Sequence, residues 1–341
     1  MNFIDRKYAF VALLMASLFF SGCSSKQYFE PEQTFSASGA ESSYGGSIVD
    51  QSRDGATLNN GHYIGKAGVS KINLGEDFRF LSENNAFILA GNVQGKLNII
   101  DKSTAKPIRT VDLHIPIVAA SIDSGIIAYI LNDNTFGLYS VNEDRKLIEN
   151  KSEKTFAIDT RAASPMFIDN LVVMPMLDGK LIIVDSLNSD NAKVVYLSSK
   201  KVFNNVVYLS RMGNIMVAAT PRKVITLGGT GKEEYRANIS EVAVADSSIF
   251  VFTKEGEIVK LNTALQEVAS KKFKFAHFSA ATAFGGKVYG LDQQGSLIVL
   301  SKDLSKFKIY DIGEVDEPAL ISGTKLYKDG KIIELSKLGY E

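Results

Sequence analysis

The sequence is poor in the side chains that most enzymes and metal sites need. Its 341 residues include one cysteine, three histidines and no tryptophan, and 38 basic residues balance 38 acidic ones. One cysteine excludes an internal disulfide and a zinc site built on several cysteines. The balanced charge argues against nucleic-acid binding, for which a basic face is expected. With 45% hydrophobic residues, the chain can nevertheless bury a substantial core.

The N-terminus has the features of a bacterial lipoprotein signal. Arg6 and Lys7 precede an apolar run, Tyr8–Phe20, which is too short to span a membrane comfortably. The run ends in Ser21, Gly22 and Cys23, and this resembles a lipobox, in which the cysteine becomes the acylated first residue. We therefore expect residues 1–22 to be a signal peptide, cleaved between Gly22 and Cys23. An ordinary signal peptide with an incidental cysteine is the alternative.

Acyl chains on Cys23 would anchor the protein stably to a membrane. In Gram-negative lipoproteins the next residue influences sorting, and Ser24 in place of Asp resembles the class sent to the outer membrane. The expected location is the cell envelope, lipid-anchored to the outer membrane and facing the periplasm. Residues 23–61 are rich in serine and glycine, which predicts a flexible tether. Tyr28, Phe29 and Phe35 interrupt it, either as a short docking motif or as occasional aromatics.

From about residue 76 the chain repeats one layout of paired hairpins. The clearest copy has a strand at Ser164–Ile168, a turn at Asp169–Asn170 and a strand at Leu171–Met176. A second turn at Asp178–Gly179 leads into the strand Lys180–Asp185. Asn and Gly supply the positive φ angles that tight hairpin turns need.

The second turn recurs at intervals of 34 to 45 residues, at positions 95, 134, 179, 222, 256, 295 and 330. Several short strands in a unit of roughly 40 residues are typical of a β-propeller. The strands lack the 3.6-residue periodicity of a helical solenoid. The sequence predicts an all-β propeller over residues 62–341, with seven blades of four antiparallel strands.

Each unit needs a fourth strand, and the clearest candidates are Pro107–Leu113, Lys193–Leu197, Lys271–Phe275 and Phe307–Ile312. The last unit leaves no room for one. We expect the isolated segment Val69–Leu74 to complete it, so that an N-terminal strand closes the ring and covers an open sheet edge. Eight blades are the alternative if residues 56–74 contain more than one strand.

Two stretches, 164–190 and 285–306, resemble the PQQ-like propeller repeat. Combined with the lipobox, the arrangement is similar to the BamB-like lipoproteins of the outer-membrane β-barrel assembly machinery. This resemblance implies a non-enzymatic scaffold. Its protein partners would be the barrel-assembly machinery or unfolded barrel precursors, bound through strand addition at a blade edge. The absence of tryptophan and of an adjacent pair of cysteines argues against a quinone cofactor.

Other constellations have simpler interpretations. The recurring aspartates could form a cation site, but turn and strand-end residues that bond their own backbone are favoured; they are Asp101, Asp178, Asp185, Asp292 and Asp329. His62, His114 and His277 have no nucleophile placed with them. Gly228–Lys232 lacks the spacing of a phosphate-binding loop and is interpreted as a blade loop. Ser270–Phe275 alternates, which places Phe273 and Phe275 inside and the lysines outside.

We therefore predict a membrane-anchored scaffold that is not an enzyme, with no catalytic residues, cofactor or metal ligands. Cys23 is the predicted lipidation site, and we expect the protein to support outer-membrane β-barrel assembly through protein–protein contacts. One alternative is a structural or accessory lipoprotein of another envelope complex. Another is a ligand-binding propeller, in which polar side chains from several blades meet in the central channel.

Overall fold

The computed structural model describes residues 27–155, 158–188, 192–198, 202–228 and 231–341. These residues form eight four-stranded antiparallel sheets, arranged as the blades of a β-propeller, and one sheet carries an additional strand. The prediction of a propeller is confirmed. Seven blades is wrong, and the alternative of eight is right. The predicted signal peptide and Cys23 lie outside the described residues.

The chain enters through two short strands and then builds the blades in order. The entry segment contains β1 (Phe35–Ser36), a 3₁₀ helix (Ser38–Ala40) and β2 (Glu41–Ser43). Blades 1 to 4 consist of β3 (Ile48–Gln51), β4 (Ala56–Leu58), β5 (Tyr63–Gly65), β6 (Gly68–Ser70); β7 (Arg79–Glu83), β8 (Phe87–Gly91), β9 (Lys96–Asp101), β10 (Lys106–Asp112); β11 (Ile117–Asp123), β12 (Ile126–Leu131), β13 (Thr135–Ser140), β14 (Arg145–Lys151); β15 (Met166–Ile168), β16 (Leu171–Pro175), β17 (Lys180–Asp185) and β18 (Ala192–Tyr196).

Blades 5 to 8 follow the same layout, from inner to outer strand, with β2 of the entry segment as the outer strand of blade 8. They consist of β19 (Tyr208–Met212), β20 (Ile215–Thr220), β21 (Lys223–Gly228), β22 (Gly231–Arg236); β23 (Ile239–Ala245), β24 (Ser248–Thr253), β25 (Glu257–Leu261), β26 (Glu267–Lys272); β27 (Phe278–Phe284), β28 (Lys287–Asp292), β29 (Ser296–Ser301), β30 (Phe307–Asp311); β31 (Leu320–Ser322), β32 (Lys325–Lys328) and β33 (Lys331–Glu334). A second 3₁₀ helix, Leu335–Lys337, follows β33.

A recurring glycine explains the sequence period. The glycine between the second and third strands has positive φ, for example 84° at Gly95 and 89° at Gly295. The residue after the outer strand donates its backbone N–H to that glycine's carbonyl, as Leu113 does to Gly95 and Ile312 to Gly295. A Cβ on Gly295 would lie 1.9 Å from the carbonyl oxygen of Gly313. Only glycine allows both this conformation and this close approach.

The core is a ring of eight apolar clusters, one at each junction between neighbouring blades. At the junction of blades 2 and 3, for example, Leu89 and Ile99 pack with Ile127 and Tyr129. The middle strands are therefore buried on both faces, which explains their continuous apolar runs. The ring has no single centre to its core, and each blade is held by its two neighbours.

The ring closes through β2, which pairs antiparallel with β33 in the register Glu41↔Ile333 and Ser43↔Lys331. The prediction that Val69–Leu74 closes the ring is wrong, because Gly68–Ser70 is the outer strand of blade 1. The strands of blade 1 have only three or four residues, and the first two lie within the serine- and glycine-rich segment 23–61 that predicted a tether. The propeller consequently begins before residue 62, within the segment predicted to be a tether.

Candidate functional site

A cavity of about 650 Å³ occupies the central channel. Its walls come mainly from the beginnings of the inner strands, so the cavity opens towards the face where those strands start. Charged side chains from blades 1, 2 and 6, and from the segment before blade 4, line it. They are Asp50, Arg53, Arg79, Arg161 and Glu241.

Glu241 is the centre of an ionic network across this channel. It lies on β23, and its side chain is only 7% exposed. Its carboxylate accepts one hydrogen bond from Arg53 Nη1 at 2.9 Å and another from Arg161 Nη1 at 3.3 Å. Arg53 belongs to the first hairpin turn of blade 1, whereas Arg161 precedes blade 4. One carboxylate therefore links three separate parts of the ring.

Arg161 also forms a two-point pair with Asp159, with Nε to Oδ1 at 2.7 Å and Nη2 to Oδ2 at 2.5 Å. Desolvation by itself would raise the pKa of Asp159, but the hydrogen bonds and charge of Arg161 hold that pKa below its usual value. Burial likewise opposes the charge on Arg161, yet Asp159 and Glu241 raise its pKa. Both groups are ionised at neutral pH.

Some buried polar atoms in and beside the network make no hydrogen bond to another described residue. Within the described part of the chain, Arg53 Nε and Asp54 Oδ2 are buried without a hydrogen-bond partner. Burial raises the pKa of Asp54. Nearby, Arg79 makes only a 3.4 Å contact with Asp50. Polar side chains from several blades thus converge in the channel, as the ligand-binding alternative expects.

Sequence reasoning missed the channel residues because they carry no motif and lie far apart in the chain. The available signal was a charge inside an apolar inner strand, as with Glu241 between Ile239 and Val242. Such a position is visible only once the blades are aligned correctly. With blade 1 unrecognised, Arg53 fell in the predicted tether.

All five recurring aspartates accept backbone hydrogen bonds, but only Asp101, Asp185 and Asp292 bond their own turns, so the interpretation favoured from the sequence is confirmed for these three. Asp101 Oδ1 accepts from the backbone N–H groups of Ser103 and Thr104. Asp292 accepts from those of His277 and Gln294. Asp185 accepts from Leu187 of its own turn, whereas Asp178 and Asp329 accept from Glu153 and Glu317, which lie 25 and 12 residues earlier in the chain. No group of three or more His, Cys, Asp or Glu within the described ranges is arranged to hold a metal ion.

The histidines and the basic–aromatic segment have ordinary surroundings. His114 is exposed, and its ring lies 3.0 Å from Asp112. Phe273 is buried as predicted, whereas Phe275 lies beyond the end of β26 at positive φ and is only half-buried. Lys274 covers the ring of Phe275 at 4.8 Å.

Gly228 ends β21 and Gly231 begins β22, so these residues flank a hairpin, which confirms the interpretation as a blade loop. No helix in the described ranges is long and apolar enough to cross a membrane.

Among the described residues, blade 4 exposes more large apolar side chains than any other blade. They are Leu171, Leu187, Val194 and Tyr196. Val194 and Tyr196 belong to β18, which is the last strand of its sheet. We call β18 and these two side chains the blade-4 edge.

Beside this edge lies a groove of about 620 Å³, which we call the basic groove. It is lined by Tyr196 and by Arg222, Lys223, Lys232 and Arg236 of blade 5. Glu234 bonds Lys223 at 2.7 Å and Arg236 at 2.8 Å. These two cations lower the pKa of Glu234 to about 2.

The segment before β2 already occupies another blade edge. β1 pairs in parallel with β30, the outer strand of blade 7. The Phe35 ring lies against Tyr310, and Lys308 Nζ stands 4.2 Å above it. Phe29 packs edge-on against Phe273. Phe29 and Phe35 therefore form a docking motif for the protein's own propeller.

Comparison with known proteins gives the fold and two curated relatives. No family model matches the chain. It is 29% identical to the plasminogen-binding protein PgbB of Helicobacter pylori strain J99 and 27% identical to PgbB of strain 26695. Both alignments cover 89% of this chain, which spans 64% of the length of these relatives.

Among solved structures, BamB from Moraxella catarrhalis superposes with a TM-score of 0.68 at 14% identity, covering 86% of this chain and 98% of BamB. The chain has the fold of a BamB-like propeller.

Proposed function

We propose that the protein is a non-enzymatic, lipid-anchored scaffold of the cell envelope that binds other proteins through its blade-4 edge. The observation that carries this proposal is the exposure of Val194 and Tyr196 on an open strand edge, with Leu187 exposed in the segment that leads into that strand. Large apolar side chains grouped on an exposed element often mark an interaction site. The unpaired backbone groups of an outer strand can also pair with an added strand.

The rest of the ring suits a rigid platform. Eight inter-blade clusters and the β2–β33 closure hold the blades in fixed positions. The entry segment is docked on blade 7, three blades away from blade 4. An anchor at Cys23 would therefore leave the blade-4 edge free to meet a partner.

Two classes of partner have support. The BamB-like fold and the lipobox favour a role in assembling outer-membrane β-barrel proteins. The similarity to PgbB over 89% of the chain favours plasminogen, the protein that those relatives are named for binding. Both would use the same function, display of a binding surface from the envelope.

Site-specific photo-crosslinking in the native envelope tests this proposal. A photoreactive phenylalanine analogue replaces Tyr196, or Val268 on the outer strand of blade 6, as a matched control. Both positions are 58% exposed. We expect the probe at Tyr196, and not the probe at Val268, to capture a defined protein. Equal labelling from both positions, or none from either, would overturn the proposal.

The captured protein then separates the partner classes. Barrel-assembly components would support the first, and binding of purified plasminogen that competes with the Tyr196 crosslink would support the second. Recovery of an unrelated envelope complex would instead support the accessory-lipoprotein alternative.

Ligand binding in the channel is a second candidate function, favoured by the unpartnered Arg53 Nε beside the Glu241 network. Native mass spectrometry of protein purified from its own envelope would then show a bound small molecule that Arg53→Met loses. If the purified protein had only the mass of the polypeptide and its lipid, with no additional bound molecule, this function would be excluded.

A further inference from the structure

The protein itself shows how a blade edge receives an extended segment. β1 adds to β30 in parallel, with Phe35 opposite Tyr310 and Ser36 opposite Asp311. The aromatic side chain of the guest residue lies on Tyr310 and under Lys308. An outer strand of this propeller is thus a working acceptor for strand addition.

The register of blade 4 places equivalent residues at its own edge. In blade 7, Tyr310 pairs with Leu297, two residues after the turn glycine Gly295. In blade 4, Val195 pairs with Leu181, two residues after Gly179. Val195 therefore corresponds to Tyr310. By the same count Tyr196 corresponds to Asp311 and Lys193 to Lys308.

A segment added to β18 in the same register and direction would continue past Leu197 and Ser198. These two residues line the basic groove. The residues that follow the paired aromatic residue of the guest would therefore lie over the cations of blade 5. Parallel addition thus fixes which end of the guest meets the groove.

The groove has more positive charge than its own carboxylate neutralises. Glu234 bonds Lys223 and Arg236. Lys232 donates only to the backbone oxygen of Tyr196, at 2.5 Å, and the exposed guanidinium of Arg222 has no acid partner within the described ranges. An incoming N–H can replace Lys232 at that oxygen, which frees the ammonium group for a guest carboxylate.

We infer that the blade-4 edge and the basic groove together bind an extended segment of a partner protein, with an aromatic residue opposite Val195 and acidic residues on its C-terminal side. Val195 and Lys193 lie on the same face as the aromatic residue and contact it, whereas Val194 and Tyr196 contact the neighbouring guest residues on the other face of the added strand. Arg222 and Lys232 pair with the acids. This inference rests on the proposed function and specifies the chemistry of the partner.

Synthetic peptides test the inference on the full-length protein purified in mild detergent. The probe is fluorescein-labelled Thr-Val-Thr-Phe-Thr-Glu-Glu-Glu, and its reverse sequence is a control of identical composition. Fluorescence anisotropy should show saturable binding of the probe that weakens with added salt. Three control peptides should each bind roughly tenfold or more weakly. The reverse peptide loses the direction of the strand, the peptide with Lys in place of Glu loses the negative charge, and the backbone N-methylated peptide loses the hydrogen bonds of strand pairing.

Charge reversal in the protein provides the second arm. Arg222→Glu combined with Lys232→Glu should weaken the probe roughly tenfold or more. Lys106→Glu combined with Lys272→Glu changes the net charge equally on the outer strands of blades 2 and 6, and should leave binding within about twofold. Thermal melting confirms that both variants are folded.

Equal affinity for the forward and reverse peptides, or no effect of the Arg222 and Lys232 substitutions, would refute the inference. The inference would also be refuted if the protein did not bind the peptide but bound phosphatidylglycerol vesicles, and if charge reversal abolished that vesicle binding. The groove would then be a lipid site. Crosslinking at Tyr196 to a partner without such a segment would leave the proposed function standing and remove this inference alone. Peptide binding without any crosslinked partner would support the binding site at the blade-4 edge and the basic groove, but would overturn the proposed function in the envelope.

Discussion

Replacement of Glu241 by alanine tests whether the channel network holds the ring together. The substitution removes the common acceptor of Arg53 and Arg161, whose side chains are 25% and 26% exposed. Arg161 retains Asp159, but Arg53 loses its single ion-pair partner within the described residues. The damage should therefore fall mainly on the contact between blades 1 and 6.

The magnitude follows from burial. Removing one partner of a fully buried ion pair costs about 3–5 kcal/mol, because a charge is left uncompensated. Water reaches a quarter of each arginine here, so we expect a loss of about 2–3 kcal/mol in the free energy of unfolding. Urea unfolding monitored by circular dichroism measures it as a lower midpoint at unchanged slope.

A double-mutant cycle isolates the pair. Arg53→Ala and Glu241→Ala together should cost about 1–2 kcal/mol less than the sum of the single changes, since the residues are in direct contact. Glu267→Ala on the exposed outer strand of the same blade is the control, expected to be within about 0.5 kcal/mol of wild type. Additive effects at Arg53 and Glu241, or a Glu241→Ala loss no larger than that of the control, would refute the reasoning.

Three further predictions concern titration and backbone shape. The pKa of Glu234 should be about 2 by NMR titration. Its ion pairs should stabilise the fold at a pH above the usual value of 4.5, and this stabilisation should be lost as the pH falls towards 2. A normal pKa would show that the pairs with Lys223 and Arg236 are not formed in solution. Burial raises the pKa of Asp54 above 3.8, so its ionisation opposes folding as the pH rises through that pKa. Asp54→Asn should therefore unfold at higher urea than wild type at pH 7, and the difference should shrink as the pH falls from the raised pKa of the folded state towards 3.8. A difference independent of pH would contradict this. Gly295→Ala should lower the free energy of unfolding by more than about 2 kcal/mol, because the new Cβ would collide with Gly313. Gly285 also has positive φ but lies in open space, so Gly285→Ala should cost only about 1 kcal/mol. Equal losses in thermal melts would show that φ alone matters.

The propeller could be predicted because its repeat depends on local chemistry. Turn glycines such as Gly95 and Gly295 are favoured by both φ and close contact, so a glycine recurs at this place in six of the eight blades, while Asn134 and Arg222 occupy it in blades 3 and 5. Continuous apolar runs such as Ile126–Leu131 follow from burial on both faces. Both signals are readable without knowing which blades are neighbours.

Blade 1 and the closing strand could not be predicted in the same way. Strands of three residues such as Gly68–Ser70 show no clear alternation. Glu41–Ser43 has a polar sequence and becomes a strand because β33 offers it an open edge. The channel network has the same property, since Arg53 and Glu241 are 188 residues apart and meet only in the closed ring.

If Cys23 carries a lipid, the docking of the entry segment on blade 7 also limits how far the propeller can stand from the membrane. A free tether of about 35 residues would give a spacing of roughly 30 Å, but Phe29 packs on Phe273, just after the outer strand of blade 6, and Phe35 pairs with the outer strand of blade 7. With the lipid on Cys23, the six bonds between Cα atoms from Cys23 to Phe29 reach at most about 21 Å. The outer rim of blade 7 would then face the headgroups, and a pull on the anchor would load the two-residue β1 before it reached the strand that closes the ring.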